Sequence, residues 1–336
     1  MQDLEPQEHG GDLDRAIARH GGLPGDWIDL STGINPTPYP LPPIPERAWN
    51  GLPTATHLRA LEDAARAAYR TEAETVAVAG AQAAIQTVPR LLPSGCARIL
   101  GPTYSEHAIA LEAAGWTVDI RGDLQDLAGA DIAVVVNPNN PDGQWQSASS
   151  LTALSETVGL LIVDESFCDP TPNRSIVPMV TQGTDRLVVL RSFGKFYGLA
   201  GLRLGFAATG SALASMFRAI GGPWPVSGPA IEVGRIALAD TDWRRATCLR
   251  LDGSAARLDA LAFVAGWSLV GGTSLFRTYD TGDAAAVQDR LASHRIWTRR
   301  FSYAPAWLRL GLPARESDWR RLAFALGCDR ETATRA

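Results

Sequence analysis

Residues 186–206 read RLVVLRSFGKFYGLAGLRLGF, and the rest of the chain is best read outward from this stretch. Leu187–Leu190 form a continuous apolar run, as expected of a strand buried on both faces. Beyond its end stand Ser192, Lys195 and Arg203, spaced among Gly194, Gly198, Gly201 and Gly205. A lysine by itself is ordinarily a solvated surface charge. One at the exit of a buried strand, three residues after a serine and eight before an arginine, is an unusual arrangement for structure alone.

On the N-terminal side the same texture repeats. TVAVAG (75–80), ARILG (97–101), TVDI (117–120), ADIAVVVNP (130–138) and GLLIVDES (159–166) read as short buried strands. Between them, AQAAIQTVPRLL and YSEHAIALEAAG read as helices. This alternation predicts an α/β fold, a mainly parallel central sheet with helices on both faces. LRALEDAARAAYR (58–70) predicts an amphipathic helix ahead of it.

After Arg203 the texture changes. GGPWPVSGP (221–229) reads as a linker, residues 231–262 as mostly helical, and the remainder as a small α+β domain in the order β-α-β-α. Residues 1–45 carry STGINPTPYPLPPIP (31–45), which no regular helix or central strand tolerates, so they read as an extended arm or a tail. The expected division is an arm (1–45), a large α/β domain (46–222) and a small C-terminal domain (223–336).

The 336 residues are 46% hydrophobic and 20% charged, ordinary for a globular protein, and the net charge of −5 argues against nucleic acid or an anionic membrane as main partner. Cys96, Cys168, Cys248 and Cys328 are scattered without a CxxC pair, which fits a reducing, cytoplasmic setting and offers no metal-ligand pattern. The N-terminus is polar and acidic, unlike a signal peptide, and no apolar run is long enough to span a bilayer.

Four further motifs lie at strand exits, where open α/β sheets bind ligands. Asp164 ends a wholly apolar strand, and a carboxylate there needs a cationic partner or serves as a turn cap. VVVNPNNPDG places Asn140 in a tight turn. In VAVAGAQAAI, Gly80 precedes a helix whose first amides, on Ala81 and Gln82, suit a phosphate. Tyr104 stands where a ring would stack on a planar ligand or fill the core. A lysine able to lose its proton, a carboxylate for a ring cation, and phosphate donors from Ser192 and Arg203 together suit pyridoxal 5'-phosphate (PLP), bound to Lys195 as an imine.

In order, Gly80-Ala81-Gln82, Tyr104, NPNNPDG, DES, SFGK with Arg203, and PWPVS resemble the class-I/II aminotransferases of PLP fold-type I, over essentially the whole chain. The chain is most similar to histidinol-phosphate aminotransferases and to their relatives, the L-threonine-O-3-phosphate decarboxylases of cobalamin biosynthesis. EHGGDL followed by DLSTGINP resembles the opening of the decarboxylases. Phe167 stands where the aminotransferases usually carry a tyrosine that reaches the cofactor's phenolic oxygen, which leaves that task to Asn140. The resemblance implies that His9, Gly10 and Asn35 of the arm, with Asn140, Arg299 and Arg309, hold a phosphorylated amino acid. Arg309 matches the carboxylate-gripping arginine and Arg299 a second anion binder. It further implies catalysis by Lys195, Asp164 and Asn140, with Lys195 or a neighbour such as Tyr197 returning a proton to the substrate's Cα. A homodimer is also implied, although Leu52 replaces the tyrosine that usually crosses it, and the loop between Arg299 and Arg309 is short. Decarboxylation of threonine phosphate is the expected reaction, and transamination of a histidinol-phosphate type the alternative.

Overall fold

The computed structural model describes residues 10–328. These divide into two compact units, Pro38–Cys248 and a unit made of the chain up to Thr37 with the chain from Leu249 onward. The boundary falls within a long helix, Thr241–Val264.

The larger unit is built on a seven-stranded sheet. Its strands are β1 (Glu74–Val78), β2 (Cys96–Leu100), β3 (Thr117–Arg121), β4 (Ile132–Val136), β5 (Leu160–Asp164), β6 (Leu187–Ser192) and β7 (Gly205–Thr209). In space they run β1-β7-β6-β5-β4-β2-β3, and only β7 is antiparallel to its neighbours. Every residue of β4, β5 and β6 is buried, so their unbroken apolar runs do face protein on both sides. One face carries Val134, Ile162, Val188 and Leu190 into a core with Ile85, Leu111 and Phe217 from the covering helices. Each such side chain contributes roughly 1.5–3 kcal/mol on burial. Thr54 and Ser227 cap the helices Ala55–Tyr69 and Gly228–Ala239 by accepting from backbone amides, so these helices begin where the sequence supplies a hydroxyl.

The topology sets the positions of the site residues. Strands β2, β4, β5 and β6 are parallel and adjacent, so their carboxyl ends lie along one edge. The reversed β7 brings its amino end to that edge: Gly205 pairs with Ser192 of β6 on one side and with Val78 of β1 on the other.

The smaller unit holds a four-stranded antiparallel sheet in the order 299–301, 304–311, 276–280, 268–273, beside a two-stranded parallel ladder joining Ile28–Asp29 to Ile296–Trp297. Helices Leu13–His20, Ala284–Ser293 and Glu316–Ala325 belong to it, and Ala16, Trp27, Ala292 and Trp297 form a small core. The β-α-β-α expectation is too simple here. GWSLVGGTSLFRTYD is a hairpin rather than one strand, folded at Ser274 and Leu275. Gly272 permits the close approach, since a Cβ there would meet the Phe276 carbonyl oxygen at 2.4 Å.

Candidate active site

At the carboxyl edge of the larger unit's sheet, Asp164 is the last residue of β5 and only 2% exposed. The Ser166 amide and hydroxyl donate to its Oδ1 at 2.9 and 2.5 Å, and His107 Nε2 lies 2.9 Å from Oδ2. Burial alone would raise its pKa, but His107 and Ser166 outweigh it and hold the carboxyl below the usual range. Asp164 thus caps the turn at Ser166 and, with its pKa held down by His107 and Ser166, favours its ionised form. His107 is the part that sequence reading missed. It sits three residues after Tyr104 at the start of the helix Glu106–Ala113, and its ring meets Tyr104 edge-on at 6.4 Å. Only that spacing in YSEHA pointed to it, and a histidine within an apolar helix is usually core.

Lys195 lies in the single turn Phe193–Phe196 directly after β6. Its Nζ stands 5.6 Å from the centre of the Phe167 ring. Phe167 is on the segment leaving β5, and β5 is hydrogen-bonded to β6, so Asp164 and Lys195 leave adjacent strands. Tyr197 is fully enclosed, stacked on Phe193 at 4.2 Å and on Trp243 at 5.5 Å. Burial drives its hydroxyl pKa far up, so it keeps its proton and acts as a core ring.

A cradle forms where β7 enters. Gly80 has φ +80°, and a Cβ there would lie 2.8 Å from an Arg203 guanidinium nitrogen. A Cβ on Gly205 would lie 2.6 Å from the Ala81 amide nitrogen. These glycines set the start of the helix Ala81–Thr87 against Arg203 and against Gly205, which pairs with Ser192 at the end of β6. First-turn amides have no acceptor inside their helix, and with a guanidinium beside them they fit a phosphate dianion. Gln82 Nε2 donates to Glu106 at 2.5 Å, and Tyr104 Oη lies 3.4 Å from Gln82 Oε1. Asn140 follows β4 in a turn that is pinned by Asp142 Oδ1, which accepts from Asn139 Nδ2 and the Gln144 amide at 2.8 and 3.1 Å.

Behind the strand ends lies a buried ion network that the sequence did not announce. Arg191 donates to Glu165 and Asp169, both at 2.7 Å, and its guanidinium lies 4.4 Å over the Tyr69 ring. Glu165 also accepts from the Ser175 hydroxyl and the Ile176 amide. Glu165 follows Asp164 and Arg191 precedes Ser192, so the pair ties β5 to β6 where both carry site residues.

The smaller unit assembles the remaining candidates. Arg309 and Arg299 are directly opposite each other on adjacent antiparallel strands. Like charges so placed destabilise a sheet unless an anion joins them. Arg309 donates to the Ser31 carbonyl at 2.6 Å and lies 5.2 Å over the Phe276 ring. Gly10 packs here too: a Cβ on it would meet the Ser31 carbonyl oxygen at 2.4 Å and Arg309 at 3.3 Å. The next amide, Gly11, donates to Ser31 Oγ at 2.7 Å. Asn35 is buried, and its Oδ1 accepts from Arg250 at 3.1 Å and from the Thr37 amide at 3.0 Å. His9 lies outside the described residues.

The sequence profile of the family described as aminotransferase class I and II matches residues 26–325. A threonine-phosphate decarboxylase from Sinorhizobium sp is 44% identical over 96% of this chain and 98% of its own length. A second, from Pseudomonas aeruginosa, is 43% identical over 95% of this chain and 97% of its own. Among solved structures, histidinol-phosphate aminotransferase from Sinorhizobium meliloti, in complex with pyridoxal-5'-phosphate, superposes with a TM-score of 0.79 at 20% identity, covering 100% of this chain and 98% of its own. With strand order, cradle and sequence in agreement, the chain belongs to the class I and II aminotransferase family.

Proposed function

We propose that the protein is a PLP-dependent decarboxylase that converts L-threonine O-3-phosphate to (R)-1-aminopropan-2-yl phosphate, a step of cobalamin biosynthesis. The observation that carries this reading is the near-full-length identity, above 40%, to two threonine-phosphate decarboxylases. The ionised, doubly anchored Asp164 and the glycine-lined cradle at Arg203 support the cofactor assignment.

When bound, PLP supplies an aldehyde for amines and a cationic ring that takes up electrons from a bond broken at the substrate's Cα. The protein's part is positional and electrostatic. Asp164 holds the ring nitrogen's proton by charge, and His107 and Ser166 hold Asp164. Ala81, Gln82, Ser192 and Arg203 would receive the cofactor phosphate, Tyr104 would lie beside the ring, and Asn140 would serve the phenolic oxygen in place of the tyrosine that Phe167 replaces. Lys195 would provide the amine that retains the aldehyde and, freed as an ammonium when the substrate's amine takes its place, would be the group placed to donate a proton at Cα. Tyr197, being enclosed, leaves that duty to Lys195. Arg299, Arg309, Asn35, Gly10 and His9 would hold the two anionic ends of the substrate and so orient it.

The working form we propose is a cytoplasmic homodimer. Trp49, Leu52 and Trp224 of the larger unit are more than half exposed, at 67%, 65% and 55%. A groove of about 590 Å³ bordered by Phe217, Pro223 and Pro225 runs beside β1, which lies at the sheet's edge. Apolar surface of this kind is characteristic of an interface. No helix among the described residues is long and apolar enough to cross a membrane.

The test uses purified holoenzyme with L-threonine O-3-phosphate, L-threonine, or histidinol phosphate plus a 2-oxo acid. Borohydride reduction followed by peptide mapping locates the cofactor's attachment. Attachment at Lys195 with preference for threonine phosphate supports the proposal; attachment elsewhere, or preference for histidinol phosphate, overturns it.

A further inference from the structure

Four polar side-chain atoms of the larger unit gather behind the strand ends, and nothing in the cofactor site explains them. They are the Tyr69 and Tyr197 hydroxyls, Asp169 Oδ2 and Arg191 Nε. Each belongs to a side chain no more than 5% exposed, and none has a hydrogen-bond partner among the described residues. They come from four separate segments: the end of the helix Ala55–Tyr69, the stretch leaving β5, β6 itself, and the residue closing the Lys195 turn. Asp169, Arg191 and Arg244 are within electrostatic reach of both hydroxyls, and Tyr69 is within reach of Tyr197.

The Arg191–Asp169 pair carries the geometry. Nε and Nη2 share one edge of the guanidinium, an edge with which arginine commonly grips a carboxylate by two parallel bonds. Here Nη2 donates to Oδ1 at 2.7 Å, while Nε and Oδ2 make no bond. Each idle atom is separated by a single carbon from an atom of that short bond, so the two remain close neighbours. A buried donor and a buried acceptor left side by side are costly unless a third group joins them.

The polarity of the set selects that third group. Glu165 and Asp169 oppose Arg191 and Arg244, so the surroundings are balanced in charge. A cation would press on the Arg191 N–H, and an anion on Asp169 Oδ2. Burial drives both tyrosine pKa values up, so both hydroxyls stay neutral and can donate or accept. A water donates twice and accepts twice, which matches one N–H, one carboxylate oxygen and two hydroxyls. We propose that these four groups bind one ordered water molecule, and that through it Tyr197 is a positioning residue for Lys195. Tyr197 closes a turn of only four residues, and its carbonyl already accepts from the Tyr39 amide at 2.8 Å. The water fixes the other end of the residue to Asp169 and Arg191, and so to the ends of β5 and β6. The water site stands apart from the decarboxylase reading, whereas the positioning of Lys195 rests on the cofactor attachment proposed above.

The first test is a crystal structure of the wild-type holoenzyme grown with rubidium bromide as the salt. One oxygen-sized peak without anomalous signal is expected, about 2.7–3.2 Å from Arg191 Nε and Asp169 Oδ2. A rubidium or bromide peak there, no peak, or a direct Nε–Oδ2 bond overturns the site. This measurement needs no variant and decides the matter even if a variant fails to fold. The second test is a cycle of Tyr69→Phe, Tyr197→Phe and the double variant in denaturant unfolding at fixed protein and PLP concentration. Each single change is expected to raise the unfolding constant about threefold to tenfold. The double change raises it by less than the product of the two, since one loss already loosens the water. Independent effects overturn a shared water. Tyr197→Phe is also expected to weaken the visible circular dichroism of the bound cofactor. Tyr39→Phe, which loses a hydroxyl bonded to Asp240 instead, leaves that band unchanged. An unaltered band in Tyr197→Phe, or an equal loss in Tyr39→Phe, overturns the positioning role. If borohydride finds the cofactor away from Lys195, that role falls with the cofactor reading, while the peak and the cycle still decide the water.

Discussion

His107 is the sharpest point at which to perturb the cofactor site. Its bond to Asp164 is 2.9 Å long and both side chains are buried, so solvent cannot replace it. A hydrogen bond to a charged group is worth about 1.5–3 kcal/mol, and one pKa unit is about 1.4 kcal/mol. Replacing His107 by Phe keeps bulk but removes the donor, and should raise the Asp164 pKa. The sign follows from linkage. Asp164 has a depressed pKa in the folded protein, so its contribution is complete above the unfolded value near 4 and is lost as pH falls through the folded value. The variant should therefore lose about 2–4 °C in melting temperature at pH 7 in a chain of 336 residues. Relative to wild type, the deficit should shrink as pH falls through the depressed folded value of Asp164, where the wild type also loses its ionised carboxylate. PLP affinity, read from absorbance titration of the apoenzyme, should fall about tenfold, because a weakened Asp164 anchors the ring cation less well. His107→Gln, which retains an N–H donor, should recover most of both effects. If Phe and Gln behave alike, or if PLP affinity is unchanged in Phe, the claim that His107 holds Asp164 ionised is wrong.

Three other outcomes follow from the same geometry. Gly80→Ala adds a Cβ 2.8 Å from Arg203 at a φ of +80°, and should cost about tenfold or more in PLP affinity with little change in fold by circular dichroism. Arg191→Met leaves Glu165 and Asp169 buried without their cation and should destabilise by about 3–5 kcal/mol in denaturant titration, while Glu165→Gln with Arg191→Met should cost less than the single change. Arg309→Gln should raise KM for threonine phosphate by about 10²-fold while leaving the cofactor's spectrum unchanged, which separates substrate binding from cofactor binding.

Much of the larger unit was legible because its strands are buried on both faces. LLIVD and LVVLRS leave no polar face to hide the period, and the residues that follow each strand mark the carboxyl edge. Lys195, Asp164, Arg203 and Gly80 were readable because each is costly or odd where it stands. His107 was not, since a histidine three residues past a tyrosine reads as helix packing until its partner on another strand is placed. Arg191, Glu165 and Asp169 were hidden for the same reason, as a buried ion pair is a tertiary fact without a local pattern. The Gly-rich arm aligned on few characters, yet Gly10 and Arg309 do meet at Ser31. The hairpin at residues 268–280 was missed because its turn, Ser274-Leu275, lacks the Asn-Gly or Asp-Gly signature.

The most direct test of the central claim is a mixture of holoenzyme with excess L-threonine O-3-phosphate and no 2-oxo acid, followed from the first turnover onward. The account predicts one CO2 and one aminopropanol phosphate per subunit in the first turnover, continued catalysis, and a cofactor that remains in its aldehyde form. Absence of CO2, with stoichiometric conversion of the cofactor to its amine form, would contradict it and identify the protein as an aminotransferase.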